Sequence, residues 1–113
     1  MDNVVELLVA RGVPGLVLLV AVAMNGLTGA AAVVAALTAL GGPFGILGGL
    51  GLLGVVTLIS SAIGTFGVNA VFCRVVEELY EEGMTKRQIR KKIDSYPISR
   101  GLKQKLYDHL DRV

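Results

Sequence analysis

From Gly12 to Cys73 the chain carries no Asp, Glu, Lys, Arg or His, a run of 62 positions (73 − 12 + 1). The hydrocarbon core of a bilayer is about 30 Å thick, and about 20 apolar residues in a helix cross it. The run is long enough for two crossings and a turn, while three fit only under strain. The other 51 positions (113 − 62) are too few to cover such a run as the core of a water-borne globule. The sequence therefore predicts an all-α integral membrane protein. Its architecture is a helical hairpin of two long Gly/Ala-rich spans, followed by a short helical, cytoplasmic C-terminal tail. A charged fraction of 18% and a mean hydropathy of +0.66 point the same way, since soluble domains carry about 25% charge.

Three segments follow. Residues 1–12 form an N-terminal interfacial segment, a short helix with Val4, Val5, Leu7, Leu8 and Val9 set among Asp2, Glu6 and Arg11. Residues 13–73 form the hairpin. Pro14 suits a first helical turn, where its missing N–H costs nothing. Gly41-Gly42-Pro43 is the strongest turn signal and divides the run into 13–40 and 44–72. Each piece would reach about 42 Å as a straight helix at 1.5 Å per residue, so tilt or a kink must absorb the excess. Asn25-Gly26 is the weak point of the first piece. The second is expected to continue unbroken through Val75, Val76, Leu79 and Tyr80, and to stop at Gly83, a good left-handed cap. Residues 74–113 form the amphipathic tail. One basic residue precedes the run and ten follow it, so the positive-inside rule makes this a multi-pass protein with a cytoplasmic C-terminus. Leu16–Val20 followed by Ala21-Val22-Ala23 has the outline of a signal-cleavage site. The acidic Asp2 and Glu6 before it have the wrong charge, and cleavage is not expected.

The glycines supply the packing signal. Gly42, Gly45, Gly48, Gly51 and Gly54 recur at every third position, Gly45 and Gly49 form a GxxxG pair, and Ser60 and Gly64 form a second small pair. A three-residue step turns an α-helix by about 300°, so this stripe winds round the helix and thins it on several sides. Small residues let backbones approach in lipid, where no water-driven force joins helices. They are also common in transmembrane helices generally. The helix-packing candidates are Gly45, Gly48, Gly49, Gly51, Gly54, Ser60 and Gly64, with Ala32 and Ala36 on the first span. A homo-oligomer is expected from them.

Catalytic chemistry is not expected. The run offers Thr28, Thr38, Thr57, Thr65, Ser60, Ser61, Asn25 and Asn69, but no carboxylate and no histidine. A proton-coupled transporter needs an ionisable group at that depth. No metal spacing or nucleotide motif is present, so no cofactor and no metal is expected, and the chain does not read as an enzyme. Thr57, Ser60, Ser61 and Gly64 suit either a pore lining or hydrogen bonds back to their own helix. Cys73 is the single cysteine, so no intrachain disulfide can form. Its place beside Arg74 suits palmitoylation or simple burial. His109 stands alone and is expected at the surface.

In the tail, Thr85-x-x-Gln88 has capping-box spacing and opens a helix presenting Ile89 and Ile93. Ser99 is placed to cap a last helix with Leu102, Leu106, Leu110 and Tyr107. The tail is expected to pack on itself, on the membrane surface or on neighbouring copies. Leu79–Ile89 resembles the start of a helix-turn-helix, with Ile98-Ser99-Arg100 opening the recognition helix. The chain departs from that pattern at Arg90 and in the long turn Asp94–Pro97. The tail's charge of +3 (ten basic, seven acidic) is low for nucleic acid, which is not an expected partner. Lys86, Arg87, Arg90, Lys91 and Lys92 are instead the candidates for anionic headgroups or a partner protein. Glu77, Glu78, Glu81 and Glu82 either sit closest to those headgroups, if the helix continues straight, or pair with basic residues of an adjacent copy.

In size, glycine content and charged tail the chain resembles holins and small membrane-killing effectors. That resemblance implies a self-assembling protein that forms pores or permeabilises membranes. The alternative is a membrane-anchored adaptor, or a small subunit of a larger membrane complex, whose tail recruits a cytosolic partner. Expected partners are membrane lipid and further copies of the chain, with a cytosolic or membrane protein under the alternative.

Overall fold

A computed structural model describes residues 1–25, 52–96 and 98–113. Those residues form α1 (Asp2–Ala10), α2 (Val13–Asn25), α3 (Leu52–Phe66), α4 (Val68–Glu81), α5 (Lys86–Ser95) and α6 (Arg100–Asp111), with no strand among them. The all-α class holds. The expected turn at 41–43 and the packing candidates Ala32, Ala36, Gly45, Gly48, Gly49 and Gly51 lie outside the described residues.

Helix α1 is amphipathic, with Val4, Val5 and Leu8 inward and Asp2 in its first turn, where a carboxylate complements the helix dipole. The chain reverses at Gly12, whose φ is +63°, and α2 begins with Pro14 in its first turn. The two helices meet backbone to backbone at Gly15. A Cβ there would collide with the Leu8 carbonyl oxygen and stand 2.9 Å from its carbon.

Helix α2 is apolar on every side, the pattern of a segment surrounded all round. Leu16, Val17, Leu18, Leu19 and Val20 are fully buried, and α2 packs against each of the other five helices. The amphipathic helices supply the cover. Val71, Phe72, Val75, Val76 and Leu79 face inward from α4, Ile89 and Ile93 from α5, and Leu106 and Leu110 from α6.

The expectation of an unbroken second span is corrected. Gly67 adopts φ +85°, ψ 151°, a region that only glycine enters without strain. There α3 and α4 turn by 110°. Among the described residues, no single helix is long and apolar enough to cross a membrane. The bent pair Gly54–Phe66 and Val68–Glu81 would suffice together by length and composition.

The local stop and start signals hold. Gly83, at φ +98°, ends α4. Its N–H donates to Tyr80 O at 3.0 Å and that of Met84 to Leu79 O at 3.1 Å, the two bonds of a Schellman cap. The Thr85–Gln88 capping box forms both its bonds, at 2.9 and 3.2 Å. Ser99 Oγ accepts from Leu102 N at 3.1 Å. The tail's inner face lies on α2 and α4 of the same chain, so it is a layer of the core.

Candidate functional site

The feature that stands out is α2 itself, an uncharged helix packed against α1, α3, α4, α5 and α6, all of which except α3 expose charged residues on their outer faces. The sequence places the buried set on each covering helix three or four residues apart, so each presents one apolar stripe. Charge occupies exposed positions of α1, α4, α5 and α6, while α3 has none and exposes Thr57, Ser61, Gly64, Thr65 and Phe66.

Two regions of opposite sign result. On one side, α1 and α4 border a groove of about 460 Å³ lined by Asp2, Glu6, Glu78 and Glu82, with Arg74, Val5, Val9 and Ala10. Arg74 is held to Glu78 at 2.8 Å and to Glu77 at 3.8 Å. Glu77 and Glu78 thus have a partner on their own helix. Among the described residues, no group of acidic, histidine or cysteine side chains is arranged to hold a metal ion.

The other region is α5. Arg87, Lys91 and Lys92 are exposed, and no side chain of the three has a hydrogen bond or ion pair among the described residues. Arg90 is committed elsewhere. Its guanidinium lies 4.3 Å from the Tyr107 ring centroid and 3.6 Å from Asp111, and it ties α5 to α6. Lys86 Nζ reaches the Val113 carbonyl at 3.5 Å. The five basic candidates therefore separate by role, with Arg87, Lys91 and Lys92 facing outward and Arg90 and Lys86 holding the helix pair together.

His109 is not a free surface residue. Its Nδ1 donates to Asn69 Oδ1 at 2.7 Å, and its ring lies 5.4 Å from that of Phe72 at a tilt of 34°. Partial desolvation holds its pKa below the ordinary value, helped by Arg112 and Lys105 and opposed by Asp108. The contact joins the last turn of α6 to the first turn of α4 across 40 residues of sequence. Its only sequence signal is that two isolated polar residues each stand on an otherwise apolar stripe.

Of the small-residue candidates within the described residues, Gly64 is exposed with open space where a Cβ would point. It makes no close helix contact among the described residues. Gly54 is half-buried. Ser60 Oγ is buried with no hydrogen-bond partner among the described residues, as is Tyr107 Oη. The tight approach sits instead at Gly15, which lies outside every spacing pattern of the glycine stripe. Beside Thr57 and Ser61, exposed like Gly64, Phe66 leaves a bare apolar ring at the end of α3.

Compared with protein-family models, curated proteins and solved structures, the chain gives no significant match.

Proposed function

We propose that this chain is a small membrane-active protein that inserts its uncharged run into lipid and permeabilises the bilayer as an assembly of copies. The observation that carries this reading is α2, a helix with no polar face, followed in sequence by uncharged residues as far as Cys73. In lipid, residues 13–73 form the two-span hairpin and the tail stays on the cytoplasmic side. Small residues such as Gly54, Ser60 and Gly64 form the contacts between copies. The open space beside Gly64 leaves room for a neighbouring helix.

The charge pattern sets the approach. Arg87, Lys91 and Lys92 point outward without partners, and each basic residue near an anionic surface contributes about 1 kcal/mol. The carboxylates of the groove between α1 and α4 are repelled by the same surface.

The test is dye release. Purified protein added to vesicles containing anionic lipid is expected to release an encapsulated dye, to do so less from zwitterionic vesicles, and to run as a higher oligomer in mild detergent. A monomeric protein that leaves both kinds of vesicle sealed would overturn the proposal.

A further inference from the structure

We infer that α5 and α6 form a releasable cover, that the structure is the closed form of the protein, and that an anionic bilayer opens it by drawing this pair away from α2. The inference rests on the membrane-active reading above and names how that activity is held in check.

The bonds of the pair divide unevenly. Within it, polar contacts accumulate. Arg90 bridges to Asp111 and covers Tyr107, and Lys103 Nζ donates to Asp94 O at 2.9 Å. Toward the rest of the chain the joint is apolar, with Ile89, Ile93, Leu106 and Leu110 fully buried. Its one side-chain hydrogen bond among the described residues is His109 to Asn69. A polar joint is directional and has to be replaced bond for bond. An apolar joint is not, because acyl chains satisfy Leu and Ile as well as protein side chains do. The pair is thus built to move as a unit and to exchange its partner for lipid.

Placement gives the trigger. The unpaired Arg87, Lys91 and Lys92 lie on α5, so the surface that attracts the protein pulls on the cover. The helix uncovered is α2, whose residues Leu16–Val20 are fully buried when the cover is on. Tyr107 Oη, buried on α6 without a partner among the described residues, gains water or a headgroup when the pair leaves.

The experiment locks the joint. In a Cys73→Ser background, Asn69→Cys with His109→Cys places two thiols where two side chains already meet. Dye release from anionic vesicles is measured for the Cys73→Ser parent, and for the double variant oxidised and reduced. The expected result is release by the parent and by the reduced variant, and at least a tenfold slower rate for the oxidised one, restored by reductant. Equal release by oxidised and reduced protein overturns the cover while leaving the membrane-active reading intact. No release by the parent overturns both. A second variant guards against a crosslink that does not form. Leu106→Cys in the same background should resist a membrane-permeant maleimide in buffer, where the position is fully buried, and react with it faster once anionic vesicles are added. A thiol equally reactive in both conditions contradicts release.

Discussion

Replacing Gly67 with alanine should shift the chain from its bent form toward a straight one. Gly67 holds φ +85°, ψ 151° at the 110° turn between α3 and α4. A residue with a Cβ pays about 1–3 kcal/mol to remain in such a region. The same substitution favours a continuous helix through position 67 by about 1 kcal/mol, since alanine exceeds glycine by that amount in a helix interior. The two effects add, because one destabilises the bent form and the other stabilises the straight one. The balance moves by about 2–4 kcal/mol, roughly 30- to 700-fold at 1.4 kcal/mol per factor of ten. A straight helix over 52–81 would reach about 45 Å, enough to cross a bilayer. Gly67→Ala should therefore lower the thermal midpoint in buffer, read by circular dichroism, and speed dye release from anionic vesicles. An unchanged midpoint together with unchanged release would refute the argument that the bend at Gly67 keeps this pair from acting as a span.

Further outcomes follow from particular contacts. Gly15→Ala must push α1 off α2, because the Leu8 carbonyl is backbone and has no rotamer to give; a loss of about 1–3 kcal/mol is expected in denaturant melts, as for other overpacked sites. Leu106→Ala removes a fully buried side chain from the joint between α6 and α2, and should cost about 2–5 kcal/mol while increasing dye release at a fixed protein concentration. His109 has a pKa lowered by folding, so its contribution is present above the unfolded value and is lost as pH falls from about 6.5 toward the folded one. The effect is small because the ring is partly solvated. His109→Gln should flatten the pH dependence of the melting midpoint between pH 7 and 5, and a slope unchanged by the substitution would count against this assignment.

The features legible in the sequence are those set by near neighbours. The capping box at Thr85 and Gln88, the stop at Gly83, the cap at Ser99, and the inward stripes Ile89–Ile93 and Leu106–Leu110 all depend on residues within two turns of each other. Three features escaped. Gly67 looks like any other glycine in an apolar stretch, and only its backbone angle marks it as a bend. Asn69 and His109 each read as a lone polar residue because their partner is 40 positions away. The packing of the tail on α2 was hidden for a deeper reason. Leu16–Val20 would have the same composition whether acyl chains or the Ile and Leu side chains of α5 and α6 surround them. Hydrophobicity states that a helix leaves water, and says nothing about what replaces it.

The central claim is that the uncharged run enters lipid. Met24 tests it most directly, since it is 49% exposed in the closed structure and sits near the middle of the first expected span, 13–40. A label at Met24→Cys in a Cys73→Ser background therefore need not disturb the fold. With an environment-sensitive fluorophore there and a quencher on the acyl chains of anionic vesicles, the account predicts a blue-shifted, strongly quenched emission on binding. An emission that stays aqueous and unquenched, while flotation shows the protein on the vesicles, would place the run outside the bilayer and contradict the account.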